Sequence, residues 1–126
     1  MKLYKHSDIY GMSRVGYSGE LEVYVNTDDA GNIPHFHLRD SDDWDKFHTC
    51  IKIESAEYFH HTGKEGTLNS KQRKELYDFM NAPVTVKKYA NKFSNNWELV
   101  CFLWDINNSN VSISENVNMP NYLKLK

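Results

Sequence analysis

Two histidines, His35 and His37, stand two apart in the run Pro34-His35-Phe36-His37-Leu38-Arg39, and His48 and Cys50 follow at the same spacing. Successive side chains of a β-strand point to opposite faces. His35 and His37 therefore share one face, and Phe36 and Leu38 share the other. Imidazole serves both as a transition-metal ligand and as an acid–base group near neutrality. His35, His37 and His48 could form a three-histidine set for a divalent transition ion such as zinc, nickel or iron, with an open position. The same three rings, with Tyr24 as donor and Arg39 holding a phosphate, could instead run metal-independent acid–base cleavage of RNA, as small ribonuclease toxins do. A third reading is a surface that binds a partner without chemistry.

These side chains need strands to position them. Residues Gly19 to Asn26 alternate, with Leu21, Val23 and Val25 opposed to Glu20, Glu22 and Tyr24. That is the period of a half-buried strand. Thr27 to Asn32 is turn chemistry. Pro34 to Arg39 predicts a second strand, Asp40 to Asp43 a loop, and Phe47 to Ile53 a third strand. Loops this short favour antiparallel hairpins. Pairing Val25 with Phe36 sets Tyr24 beside His37 and Glu22 beside Arg39. Pairing Leu38 with Phe47 sets His37 beside His48 and His35 beside Cys50. One face then carries Glu22, Tyr24, His35, His37, Arg39, His48, Cys50 and Lys52. As the polar side of an antiparallel sheet, it is expected to meet solvent.

Elsewhere, Asp8 to Ser18 reads as irregular or as an edge element, and Tyr58 to His61 as a fourth short strand. Lys71 to Asn81 predicts a helix capped by Asn69 or Ser70, with Leu68 as a hydrophobic staple. Asn95 caps a second helix, where Trp97, Val100, Cys101 and Trp104 fall on one stripe and most other sides are also apolar. Lys87 to Lys92, with Tyr89, reads as a loop or short helix whose lysines are a solvated face or a contact for nucleic acid. Val111 to Lys126 reads as a polar tail. The expected fold class is α+β: an antiparallel meander of three to four strands packed against two helices. One domain spans 1–126, with its core at 19–108.

Composition narrows the function classes. The chain has 126 residues, with 15 Lys+Arg against 17 Asp+Glu and a formal net charge of -2. A general nucleic-acid binder would show a basic excess, so net charge does not indicate one. Two cysteines, Cys50 and Cys101, are too few for a disulfide scaffold and read as reduced, buried thiols. Met1 to His6 has no apolar signal core, and no apolar stretch nears the roughly 20 residues that span a bilayer. The expectation is a cytoplasmic protein with no membrane association.

The segment Asn32-Ile33-Pro34-His35-Phe36-His37, the strand near Ile51-Lys52-Ile53, the helix after Leu68 and Asn96-Trp97-Glu98 carry a resemblance. Together they resemble the family of small bacterial and phage proteins catalogued as domain of unknown function four-one-six-zero. The likeness runs from Leu21 to Asn108, with Ile33 where the family often has a second proline. It implies an α+β fold. Through the family's frequent gene pairing with a second small protein, it also implies a toxin–antitoxin-like or accessory role in a bacterial host. It marks Pro34, His35, Phe36, His37, Trp97 and Glu98. The leading expectation is a phage- or mobile-element-associated protein that binds a protein partner through the histidine-bearing face. The ribonuclease-like toxin and the His-x-His metal protein are the alternatives.

Overall fold

Gly19 and Glu20 form the two-residue turn between strands β1, Met12–Ser18, and β2, Leu21–Asn26. Gly19 sits at φ 58°, the left-handed region that a tight hairpin turn demands and that L side chains resist. Gly19→Ala is expected to cost about 1–2 kcal/mol in urea unfolding. The computed structural model describes residues 12–26, 33–60, 63–108, 113 and 117–125.

Strands β3, His35–Asp40, and β4, His48–Lys52, complete an antiparallel sheet in the order β1-β2-β3-β4. Helix α1 spans Ser70–Asn81 and helix α2 spans Asn96–Asn107. The α+β meander with two helices is as expected. The region expected to be irregular or an edge element is the edge strand β1. Its register shifts between Arg14 and Gly16, and that irregularity breaks the period-two pattern in the sequence.

The β2–β3 register is the expected one, with Tyr24 opposite His37 and Glu22 opposite Arg39. The β3–β4 register is slipped by two residues from the expected one. Leu38 faces Thr49, Phe36 faces Ile51, His37 faces Cys50 and Arg39 faces His48. A slip of two keeps every side chain on its own face. It puts Ile51 rather than Thr49 against Phe36, and both are fully buried. Tyr58 makes only an isolated bridge to Ile51, so the expected fourth strand is a return segment along β4. It is tied there by Phe59 N to Cys50 O at 2.9 Å and Gly66 N to His48 O at 2.8 Å. His61 lies outside the described residues.

Val23, Val25, Phe36, Leu38 and Ile51 from the sheet pack with Leu76 and Met80 of α1 and with Leu99, Val100 and Leu103 of α2. Asn69 and Gln72 form a reciprocal cap at the start of α1, and Asn95 accepts from Glu98 N at the start of α2. The core runs past 19–108 in both directions. Val15 of β1 is fully buried, and so is Tyr122, whose ring meets Phe36 edge-on at 6.3 Å. The polar tail therefore contributes a core residue. No helix among the described residues is long and apolar enough to cross a membrane.

Burial, with Asp105 nearby, pushes the Cys101 thiol up to about 12. Burial likewise raises the Tyr122 phenol far above its usual range. Below the unfolded thiol value of about 8.5, both groups are protonated in the folded and unfolded chain alike. Above it, the unfolded chain releases protons that the folded chain retains, so stability falls as pH rises toward 12. Thermal melts are expected to drop steadily over that window, and less steeply in Cys101→Ser.

Candidate metal centre

The β3–β4 register sets His37 directly opposite Cys50, with His48 two pairs along on the same face. The three side chains point at one another. His37 Nδ1 lies 3.0 Å from His48 Nε2, and Cys50 Sγ lies 3.1 Å from the first nitrogen and 3.4 Å from the second. Two donors on one tetrahedral ion, at bonds of about 2.0–2.3 Å, sit roughly 3.3–3.6 Å apart. The triangle is within a few tenths of an ångström of that spacing. Two further groups converge: His35, His37 and Cys50, and His48, Cys50 and Glu65, with donor atoms within 4.8 Å of one another in each. Cys50 belongs to every one of these sets.

Neighbouring groups turn the lone pairs inward. His35 Nδ1 donates to Ile33 O at 2.8 Å, which leaves Nε2 as the lone-pair nitrogen. On the far side of the His37 ring, the Asn26 amide nitrogen is 3.4 Å from Nε2, and Asn26 Oδ1 is buried with no hydrogen-bond partner among the described residues. Turning that amide over would let Oδ1 accept from His37 Nε2–H. Nδ1 would then be the unprotonated atom facing the sulfur.

Most of the histidine-bearing face does not meet solvent, contrary to expectation; only Arg39, His48 and Lys52 are half-buried. His35 and Cys50 are fully buried, and His37, Tyr24 and Glu22 nearly so. Phe59 from the return segment packs edge-on to His35 at 4.8 Å, and Trp104 of α2 lies 5.4 Å from the same ring. From the loop before β4, Trp44 stacks on Tyr24 at 5.2 Å. Tyr24 stacks on His37 at 4.9 Å, and His37 on His48 at 5.3 Å, with ring planes within 8° at each step. This row holds the two imidazoles in their planes.

Tyr24 and Arg39 lie beside the cluster but are engaged with each other. Arg39 Nε donates to Tyr24 OH at 3.0 Å and Nη1 to Trp44 O at 3.1 Å, with the guanidinium 4.8 Å over the Trp44 ring. Trp44 Nε1 donates to Glu22 Oε1 at 3.2 Å. Burial drives the Tyr24 phenol well above its ordinary range despite the nearby guanidinium, so it stays a neutral hydroxyl.

His37 and His48 converge and His35 stands beside His37, but no group of donors among the described residues joins His35 to His48, and the atom common to both groups is the Cys50 sulfur that the three-histidine set left out. Sequence reasoning had placed Cys50 on this face and read it as an ordinary buried thiol. The overlooked signal was His48-x-Cys50, which repeats the spacing of His35-x-His37 on the adjacent strand. Glu65 sits in an irregular segment, where no periodicity could have marked it. Of the residues marked by resemblance, Trp97 is a core residue, and Glu98 accepts from Ser94 N at the start of α2. Fold and site together define a small α+β protein with a buried cysteine–histidine cluster. No family model matches the chain, and neither does any curated protein or solved structure. The likeness to the four-one-six-zero family therefore rests on the residues quoted for it.

Proposed function

We propose that this protein binds a divalent transition metal ion through His37, His48 and Cys50, with Glu65 or His35 as a further donor. The observation that carries the reading is the triangle of two ring nitrogens and one thiol sulfur with edges of 3.0, 3.1 and 3.4 Å. Hydrogen bonds alone would have to distribute protons among three atoms that each offer a lone pair. One cation accepts all three lone pairs at once, and a mixed nitrogen–sulfur set suits zinc and its neighbours. With Glu65 or His35 as the fourth donor, the centre would have the closed character of a structural site. The ion would clamp β3 to β4 and to the return segment.

Burial of His35 and His37 favours this reading over a contact face made of the imidazoles. An accessory or toxin–antitoxin-like role with a protein partner, which the family resemblance supports, would use other surface. The ribonuclease-like reading asks Arg39 to hold a phosphate while Tyr24 and the Trp44 carbonyl already occupy it. The test is elemental analysis of protein purified without chelator or metal-affinity resin, followed by titration with Co(II). The expected result is an ion in about one-to-one ratio and a thiolate-to-cobalt charge-transfer band. Metal-free protein that gives no cobalt band would overturn the reading.

A further inference from the structure

Beside β1, the outer strand of the sheet, lies a groove of about 510 Å³ whose lining includes Arg14, Tyr17, Thr85, Lys87, Lys88 and Tyr89. Its charge contradicts the rest of the chain. The protein carries a formal net charge of -2, yet the groove presents three cations and, among the described residues, no carboxylate. The cations lean on rings rather than on acids. The Arg14 guanidinium lies 5.3 Å from the centre of the Tyr17 ring and donates to its hydroxyl at 3.0 Å. Lys88 Nζ lies 5.4 Å from the centre of the Tyr89 ring. Arg14, Lys87 and Lys88 make no ion pair among the described residues. Tyr17 is 51% exposed, so its ring is open to a ligand in the groove.

We propose that this groove binds a segment of single-stranded nucleic acid. Arg14, Lys87 and Lys88 would take phosphates, and Tyr17 would offer its ring to a base. Cations interleaved with aromatic rings along a concave track are what an unpaired strand needs, because every base has a face to stack and every nucleotide carries a charge. A duplex hides its base faces. A membrane surface is met by a protruding apolar face, whereas here the charges line a hollow. The proposal is independent of the candidate metal centre, whose His37, His48 and Cys50 lie on β3 and β4.

The test is fluorescence anisotropy with labelled oligo-uridine and oligo-thymidine of about ten nucleotides, within the length range of single-strand sites. A duplex of equal length and phosphatidylserine-containing vesicles serve as the other arms. The expected result is saturable binding of the single strands at low salt, with log K falling against log salt at a slope of about −2 for three phosphate contacts. Lys87→Gln with Lys88→Gln should weaken binding about tenfold or more and flatten the slope to about −0.7. Tyr17→Ala should cost about fivefold or more. Both lysines are exposed, so metal content and melting curve should not move; if the melt does, Arg14→Gln replaces the pair. No binding, equal affinity for the duplex, capture by vesicles alone, or an unchanged affinity in the lysine variant would each overturn the proposal.

Discussion

Cys50→Ser is expected to abolish stoichiometric binding of cobalt or zinc, with a loss of affinity of at least about 100-fold, since changes to outer-shell residues alone cost 10–100-fold. The size follows from its position. Cys50 Sγ is within 3.4 Å of both imidazole nitrogens and is common to every converging set of donors. A serine hydroxyl keeps the volume but replaces a soft thiolate with a poor ligand. His35→Ala and Glu65→Gln each remove a residue found in only one of the two outlying groups, so each should cost closer to tenfold. Competition titration against a chromogenic chelator measures all three. The order matters as much as the sizes. Retained stoichiometric binding in Cys50→Ser, together with loss in the histidine variants, would restore the three-imidazole set. Binding should also raise stability, by about 2.7 kcal/mol when free ion is at 100 times its dissociation constant.

Tyr122→Ala is expected to destabilise the protein by about 3–5 kcal/mol, the cost of truncating a large buried ring. Total stabilities are about 5–15 kcal/mol, so this one change would remove a large share. The ring is fully buried, meets Phe36 and packs with α1 and α2 residues in the core. Leu123 next to it is 47% exposed and serves as the control, with an expected change within about 0.5 kcal/mol. Urea unfolding of both variants decides the matter. A cost below about 1 kcal/mol for Tyr122→Ala would mean that the tail is loosely held, as its polarity predicts.

The parts of the fold that were legible in the sequence are those where one local rule acted alone. The alternation of Leu21, Val23 and Val25 and of Phe36 and Leu38 settled which face each side chain takes while leaving the pairs free to shift by two, and the β2–β3 pairing assumed from it is the observed one. The caps at Asn69 and Asn95 were readable because the side chain and the amide it accepts from are three residues apart. The β1 strand was obscured by its own irregularity at Arg14–Gly16, because a pattern of period two cannot survive an inserted residue. The slip of β4 depended on whether Thr49 or Ile51 should oppose Phe36, and that depends on the helices packed beneath. Tyr122 gave no signal because one buried ring in a polar segment has no periodicity. At the candidate centre the histidines were legible as a shared face. Their burial was not, because it comes from Trp44, Phe59 and Trp104, three rings brought from distant parts of the chain.

β3 has a neighbour on each side, and His35, Phe36, His37 and Leu38 along it are buried toward both faces of the sheet. Its amides can reach deuterium only when the whole domain opens, so they should be the slowest to exchange. β1 is at the margin of the sheet, where local fraying suffices, so its outward-facing amides should label early. A time course in heavy water would therefore divide the sheet into a protected seam and a permeable border.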